Sequence, residues 1–295
     1  MNASDQIRTI DEPLVRALVD GQFPRWSDLA LRRTLSAGTD NAIFRLGESM
    51  AVRLPMRESA APQAEREQRW LPILAPALPL EIPTPVAAGR PAEDYPWAWS
   101  VCPWMAGVDA AVAPPLDLTQ AGRDLGEFIA ALGRIDASGG PAAGRANKGR
   151  GLPLALLNER VRADIAALGA EINGAAVLEA WEEAVAAPAH RGQGTWIHGD
   201  LHPSNLLVRD GRIAGILDFG LLGVGDPACD LFVAWSYLDA PARRVFQQAA
   251  GVGKAAWLRG RGWAIFSAVI ALAFYLHSNP TLCAMSRRTL AEVLS

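Results

Sequence analysis

Apolar and polar positions recur with two different periods along this 295-residue chain. The change from one period to the other divides it. A short helical pattern comes first: Asp11-Glu12-Pro13 supplies a cap and an N-terminal proline, Leu14 and Leu18 share a face, and Gly21 marks a stop. From Leu29 to Leu54 the period falls to two. Ala42–Leu46 and Met50–Leu54 flank a Gly47-Glu48 turn and predict a hairpin, preceded by a polar, glycine-containing turn over 35–41. Ser59 and Pro62 open a helix carrying Glu65, Glu67, Trp70 and Leu71. Prolines keep 79–85 extended, and Tyr95–Cys102 predicts a further strand, ending at 103–107. Beyond Pro114-Pro115 the pattern is helical over Leu118–Ile135. A glycine-rich stretch, 137–151, predicts a flexible connection, and more helix is expected over Leu154–Ala187. After 195–220 helices run to the end. No internal repeat is present, and the boundary between the strand-rich and helical portions falls near residue 107.

Residues 195–220 interrupt the helical portion and carry the chemistry. They read Thr195-Trp-Ile-His198-Gly-Asp200-Leu-His202-Pro-Ser-Asn205-Leu-Leu-Val208, an Asp210-Gly211 turn, then Ile213-Ala-Gly-Ile-Leu-Asp218-Phe219-Gly220. Asp-Gly between two apolar runs is the signal of a tight hairpin. A hairpin brings its flanking loops to one end, so Asp200, Asn205 and Asp218 are expected to converge. Two carboxylates and an amide at one spot suit a magnesium nucleotide and a hydroxyl losing its proton. Asp200 can accept that proton or orient the hydroxyl, Asn205 offers a metal a neutral oxygen, and Asp218 offers a charged one. His198 supports the loop by hydrogen bonding and packing. The alternation His198-x-Asp200-x-His202 also fits a metallohydrolase ligand set, which would need neither Asn205 nor Asp218. Asp226 reads as a helix cap with Pro227 at the first helical position, with bracing of the catalytic loop as its alternative, and Asp230 as a supporting residue.

The strand-rich portion is expected to clamp phosphates. Gly38 in the 36–41 turn lets backbone amides approach an anion, with Asn41 closing the turn. Ala51 and Arg53 share a strand face, the small residue leaving room for a base and the cation reaching phosphates. Glu67 on the next helix is the preferred partner for Arg53, ahead of Glu65. No lysine occurs before Lys148, so a phosphate-binding cation here must be an arginine, whose planar fork holds oxygens bidentately. Trp97, Trp99 and Trp104 are expected to pack between the two portions.

Composition narrows the partners. Half of the residues are apolar and the formal net charge is −3, which leaves no electrostatic footprint for nucleic acid or an anionic membrane. Three widely spaced cysteines in apolar contexts read as buried thiols of a reducing compartment. The first residues lack the basic-then-apolar pattern of a signal peptide, and Trp263–Leu276 is shorter than the ~20 residues of a membrane span and predicts a buried helix. Two lysines against many arginines and alanines suggest a GC-rich bacterial genome. The expectation is a cytoplasmic bacterial protein of two subdomains.

Taken together these residues resemble the aminoglycoside phosphotransferase family, with its protein-kinase-like fold. His198-Gly-Asp200-Leu-His-Pro-Ser-Asn205 is similar to the family's catalytic loop, Ile216-Leu-Asp218-Phe-Gly220 to its metal-binding segment, and Asp226-Pro-Ala-Cys-Asp230-Leu to its supporting motif. Ser36–Asn41, Ala51-Val-Arg53 and Glu67 resemble the phosphate loop, third strand and paired helix glutamate. The resemblance implies an α+β, two-lobed fold: a small antiparallel-sheet nucleotide-binding lobe with one key helix (1–107), and a larger, mostly helical lobe for catalysis and substrate binding (108–295). It implies that Asp200 is the base, that Asn205 and Asp218 bind Mg2+, and that Arg53 with Glu67 places the phosphates of ATP or GTP. The connector from Cys102 to Met105 would bond the purine through its backbone. Arg53 departs from the lysine usual in kinases, an arrangement that some macrolide-kinase-like members resemble. The acceptor would be a hydroxyl of a small molecule. Apolar final helices with Trp257, Trp263, Phe266, Phe274 and Tyr275 favour a less charged antibiotic or a metabolite over a polycation. A nucleotide-binding regulatory module without turnover is the alternative from another class.

Overall fold

Alternation in the first third of the chain becomes a five-stranded antiparallel sheet in the computed structural model, which describes residues 7–34, 40–92 and 94–295. Helix α1 (Glu12–Gln22) precedes it, started by the Asp11 carboxylate, which accepts from the Leu14 N–H at 3.0 Å. Strands β1 (Leu31–Arg33), β2 (Asn41–Leu46) and β3 (Met50–Pro55) follow, the β2–β3 hairpin closing on the pair Leu46–Met50. Helix α2 (Ala61–Leu74) starts at an Ala60 cap without a side-chain bond, so Ser59 is not the capping residue. Strands β4 (Ala87–Gly89) and β5 (Trp99–Pro103) complete the sheet in the order β1-β2-β3-β5-β4.

Period two decides what each face of this sheet does. Phe44, Leu46, Val52, Leu54 and Val101 point to one side and, with Val15 and Val19 of α1, form a core in which none is measurably exposed. At about 1.5–3 kcal/mol for each large apolar side chain, that burial is the main stabilising term of the unit. Ala51 and Arg53 alternate with those residues and project from the other face of β3. Of the three tryptophans expected between the two portions, Trp99 packs instead inside this unit. Trp99 is fully buried in this core, Trp97 meets Tyr95 edge-on at 5.6 Å, and Trp104 lies 4.5 Å beneath the Arg45 guanidinium.

The chain clusters into two units, one made of Met1–Pro76, Glu81–Ala106 and Ile216–Gly220, the other of Ala77–Leu80, Gly107–Gly215 and Leu221–Ser295. The second is mostly helical. It contains β6 (Val108–Asp109), α3 (Leu118–Arg134), α4 (Asn158–Leu168), α5 (Gly174–Ala186), β7 (Thr195–Ile197), β8 (Leu206–Arg209), β9 (Arg212–Ile216) and β10 (Gly223–Gly225). Then come α6 (Val233–Ser236), α7 (Ala240–Ala250), α8 (Lys254–Tyr275) and α9 (Pro280–Leu294). Asp210 and Gly211, with φ of 52° and 75°, make the expected two-residue turn between β8 and β9. Helix α3 lies against α7 because Gly122 and Gly126 have no side chains. A Cβ at Gly122 would sit 2.5 Å from the Ala242 carbonyl oxygen, and one at Gly126 would sit 2.7 Å from that of Phe246.

Two expectations change in this unit. Helix over 154–187 is broken at Gly169, where φ is 50°, and restarts where Asn173 caps α5. The glycine-rich stretch is not a loose connection but a fixed strap. Its Ala143 N–H donates to the Val224 carbonyl at 2.8 Å, its Pro141 carbonyl accepts from Val224 at 2.7 Å, and its Gly151 carbonyl accepts from Asp226 at 2.9 Å. Strand β7 belongs with this strap, since it pairs with β10 and not with the β8–β9 hairpin. Trp263 of α8 is fully buried, as expected, and among the described residues no helix is long and apolar enough to cross a membrane.

All three cysteines are buried. Burial pushes the Cys102 thiol up to about 11 against the opposing pull of Arg53, and raises Cys229 further. A raised thiol pKa removes thiolate at a given pH, leaving about one in a thousand Cys102 thiols ionised at pH 8. The native protein is therefore expected to release no chromophore from a disulfide reagent over minutes at pH 8, and three equivalents in denaturant. Rapid native reaction of one thiol would contradict the burial.

Candidate active site

A single buried carboxylate shapes the loop after β7. Asp230 is 1% exposed and accepts from the backbone N–H groups of both His198 and Gly199, each at 2.7 Å. Burial pushes its carboxyl upward, and His198 and the two N–H donors oppose that push by favouring the ionised form. The brace anticipated for either Asp226 or Asp230 is thus made by Asp230. Asp226 is engaged elsewhere: it caps the turn over 227–232 through the Ala228 N–H at 3.0 Å and pairs with Arg259 of α8 at 2.6 and 3.1 Å. Gly199 has φ 84°, and a Cβ there would lie 2.7 Å from the Leu221 carbonyl oxygen, so the bend next to Asp200 requires glycine.

The bend turns Asp200 outward among polar groups. His198, wholly buried, uses Nδ1 to accept from the Asp200 N–H at 3.1 Å. The Asn205 amide nitrogen donates to the Asp200 carbonyl at 2.9 Å and lies 3.5 Å from its Oδ2. His202 Nε2 is 3.2 Å from that nitrogen and 3.5 Å from Asp200 Oδ2. Desolvation would raise the Asp200 carboxyl, but the hydrogen bond and charge of His202, with Arg150 and His198, outweigh it and hold the group well below the usual carboxylate range. Because the Asn205 nitrogen is used inside the loop, its oxygen is the atom left to offer a cation. The hydrolase ligand set does not form, since His198 points inward. Among the described residues no group of three or more histidine, cysteine or acidic side chains could hold a metal.

The other unit holds the second group of residues. Arg53 Nη1 donates to Glu67 Oε2 at 2.9 Å and Nη2 to Oε1 at 3.4 Å, a bidentate pair with side chains 13% and 5% exposed. Glu65, the less favoured candidate, is exposed. Desolvation works against the Arg53 charge, but Glu67, Cys102 and Asp218 together raise its pKa. Asp218 is exposed and adopts φ 57°, uncommon for a residue with a Cβ, with Oδ1 accepting from the Gly220 N–H at 3.1 Å. It sits in the 216–220 segment, which the Ile216 N–H anchors on the Glu81 carbonyl at 2.9 Å. Ala51 pairs with Cys102 across β3 and β5, and Met105 follows β5 in the connector. Asn41 is the first residue of β2, opposite Pro55, and is not brought to the Arg53 pair by any bond described. Gly38 lies outside the described residues.

Sequence reasoning missed two residues. Arg150 was hidden in the glycine-rich stretch, where no period reveals a facing side chain. It donates to the Gly199 carbonyl at 2.9 Å. Gln63, one turn before Glu67 on the same face of α2, approaches Asp40 Oδ2 at 3.4 Å, and a Cβ on Gly220 would fall 2.7 Å from its Oε1. The i, i+4 spacing from Glu67 was the available signal for it.

Residues 32–263 match the model of the phosphotransferase enzyme family, APH, and the chain belongs to that family. It is similar to the macrolide 2'-phosphotransferase MphH from Brachybacterium faecium, at 26% identity over 97% of this chain and 98% of that one, with a TM-score of 0.61. Two further structures share the fold. The GDP complex of aminoglycoside 2'-phosphotransferase-IIIa gives 17% identity over 97% and 99% of the two chains with a TM-score of 0.70. The streptomycin–ATP ternary complex of APH(2")-IIa gives 22% identity over 89% and 91% with a TM-score of 0.58. No match is found among curated proteins.

Two substitutions test the buried carboxylates. Asp230→Asn keeps the shape but turns one acceptor into a donor facing an N–H, and is expected to lower stability by about 1–3 kcal/mol in urea denaturation. Glu67→Ala strands the Arg53 charge and is expected to lose about 3–5 kcal/mol, whereas the double variant Arg53→Met, Glu67→Leu recovers much of it. Set beside the single variants Arg53→Met and Glu67→Leu, a double variant whose penalty is simply their sum would show that the two side chains are not coupled.

Proposed function

We propose that this phosphotransferase is a small-molecule O-kinase, moving the γ-phosphoryl group of a nucleoside triphosphate to a hydroxyl of an antibiotic-like compound or metabolite. The observation that carries the reading is the Asp200 carboxylate, held ionised beside His202 and Asn205 on a loop that Asp230 fixes. The acceptor oxygen forms a bond to the γ-phosphorus as the bond to the β–γ bridging oxygen breaks, and the hydroxyl proton passes to Asp200. A carboxylate with a low pKa is a weak base towards an unreacted alcohol. Its first task is to orient the hydroxyl, and proton transfer follows as the bond to phosphorus makes that proton acidic.

The donor set fits magnesium: one charged oxygen from Asp218 and one neutral oxygen from Asn205, hard ligands in a number that leaves room for phosphate oxygens and water. A bound Mg2+ would neutralise charge on the phosphate chain as it is cleaved. Arg53, oriented by Glu67, bonds phosphate oxygens, and the Cys102–Met105 connector receives the purine through its backbone. Solved relatives with GDP and ATP support a purine nucleotide donor, and macrolide and aminoglycoside enzymes among them support a hydroxyl acceptor.

The test is a panel in which ATP and GTP are each offered with macrolides, aminoglycosides and simple alcohol metabolites in the presence of Mg2+. Phosphorylated product is expected with at least one acceptor. Asp200→Ala is expected to lower its rate by about 10²–10⁴-fold while nucleotide affinity stays within a few-fold. Nucleotide binding with no transfer to any acceptor would favour the regulatory module, and unchanged transfer by Asp200→Ala would remove the assigned base.

A further inference from the structure

The loop that carries Asp200 places two carboxylates in one neighbourhood. Asp230 holds it from within and Asp200 faces outward, and the charge of Asp200 adds to the burial that pushes the Asp230 carboxyl upward. Two anions around one bend need positive charge nearby. Arg150 supplies it with a guanidinium, a side chain that stays charged in proteins and is among the influences holding the Asp200 carboxyl down.

The strap delivers that guanidinium rigidly. Asn147, 1% exposed, accepts from the Gly144 N–H and donates to the Arg150 carbonyl, both at 2.9 Å. Gly151 follows with φ 79° and is fastened through its carbonyl to Asp226, and a Cβ there would lie 2.6 Å from Ile197 Cδ1. Arg150 is thus anchored on both sides in the chain. Its side chain then makes two contacts: Nε donates to the Gly199 carbonyl at 2.9 Å, and the guanidinium carbon lies 5.0 Å from the centre of the Phe266 ring on α8. The Gly199 carbonyl is the oxygen of the peptide that leads into Asp200. With the Gly199 N–H bonded to Asp230, both faces of the bend are fixed, one by an anion and one by a cation.

We propose that Arg150 is a positioning residue for phosphoryl transfer: through the Gly199 carbonyl it fixes the peptide that presents Asp200, and it supplies the permanent positive charge beside that carboxylate. Phe266 limits the side chain to one orientation, by a cation–aromatic contact that also shields one face of the guanidinium from water. The role rests on the reading of Asp200 as the base. It assigns a function in the reaction to the glycine-rich strap, which is otherwise only a connection between helices.

The experiment compares Arg150→Met, Arg150→Gln and Arg150→Lys with the unaltered enzyme and with Asp200→Asn. The readouts are kcat and nucleotide KM in Mg-dependent transfer to the acceptor found in the panel, or in hydrolysis of the bound nucleotide if water is the acceptor used. Arg150→Met is expected to lower kcat about 10–100-fold with nucleotide KM changed less than about three-fold. Arg150→Gln, which keeps a donor without charge, should fall between Met and Lys, and Arg150→Lys should recover most of the rate. A further variant, Arg150→Ala, leaves space for added methylguanidinium, which should partly restore its rate, a rescue that a general loss of folding would not allow. Thermal melts identify any variant that is unfolded, and Gln and Lys keep the comparison open if Met is one of them. Equal kcat for all three variants and the unaltered enzyme would overturn the role of Arg150, as would losses in kcat and nucleotide affinity that move together without rescue. If Asp200→Asn is itself fully active, the base assignment fails, and that outcome is separate from either result at Arg150.

Discussion

The geometry of the reactive loop depends on Asp230 accepting two backbone N–H groups in a site that water does not reach. An anion in such a place is unfavourable unless donors satisfy it, and the donors here are the amides of the loop it must hold. Loss of the loop shape would strand the carboxylate, and loss of the carboxylate would strand the amides. The two conditions lock each other. Asp200 can then face outward in a defined direction, although the loop around it contains no long secondary structure.

Three of the buried carboxylates are neutralised in two ways. Asp230 is met by backbone amides, Asp226 by the planar fork of Arg259, and Glu67 by that of Arg53. The first sets the shape of a loop, the second ties a helix start to α8, and the third holds a cation at the surface of a sheet. The third pair is the one assigned to phosphate binding in the proposal above, so the pairing that secures a helix start elsewhere in the chain is there given a ligand to meet.

Much of this was legible in the chain. The hairpin around Asp210-Gly211 follows from a dipeptide that tolerates positive φ, and the Arg53–Glu67 pair follows from strand alternation and the lack of lysine. Buried Phe44, Leu46, Val52 and Leu54 follow from period two. The strap was not legible, because its order comes from backbone bonds to β10 and from one buried asparagine, and neither leaves a periodic trace. Glycines there read as freedom, whereas Gly151 serves close packing against Ile197. Tryptophans are similarly ambiguous: Trp99 has the size and polarity of a residue between subdomains, but its neighbours in three dimensions place it in the core of the sheet unit.

The arginine at position 53 has a consequence for how this protein can be found in a cell extract. Nucleotide analogues that carry an activated acyl group report kinases by acylating an amine near the phosphates. A guanidinium, protonated throughout the accessible pH range, is a poor nucleophile for such a reagent. With no lysine before residue 148, the sheet unit has no side-chain amine to label in its first three strands, its long helix or the strand that follows them. If Arg53 meets the phosphates as proposed, a survey that equates nucleotide binding with lysine acylation in this unit would pass over this enzyme.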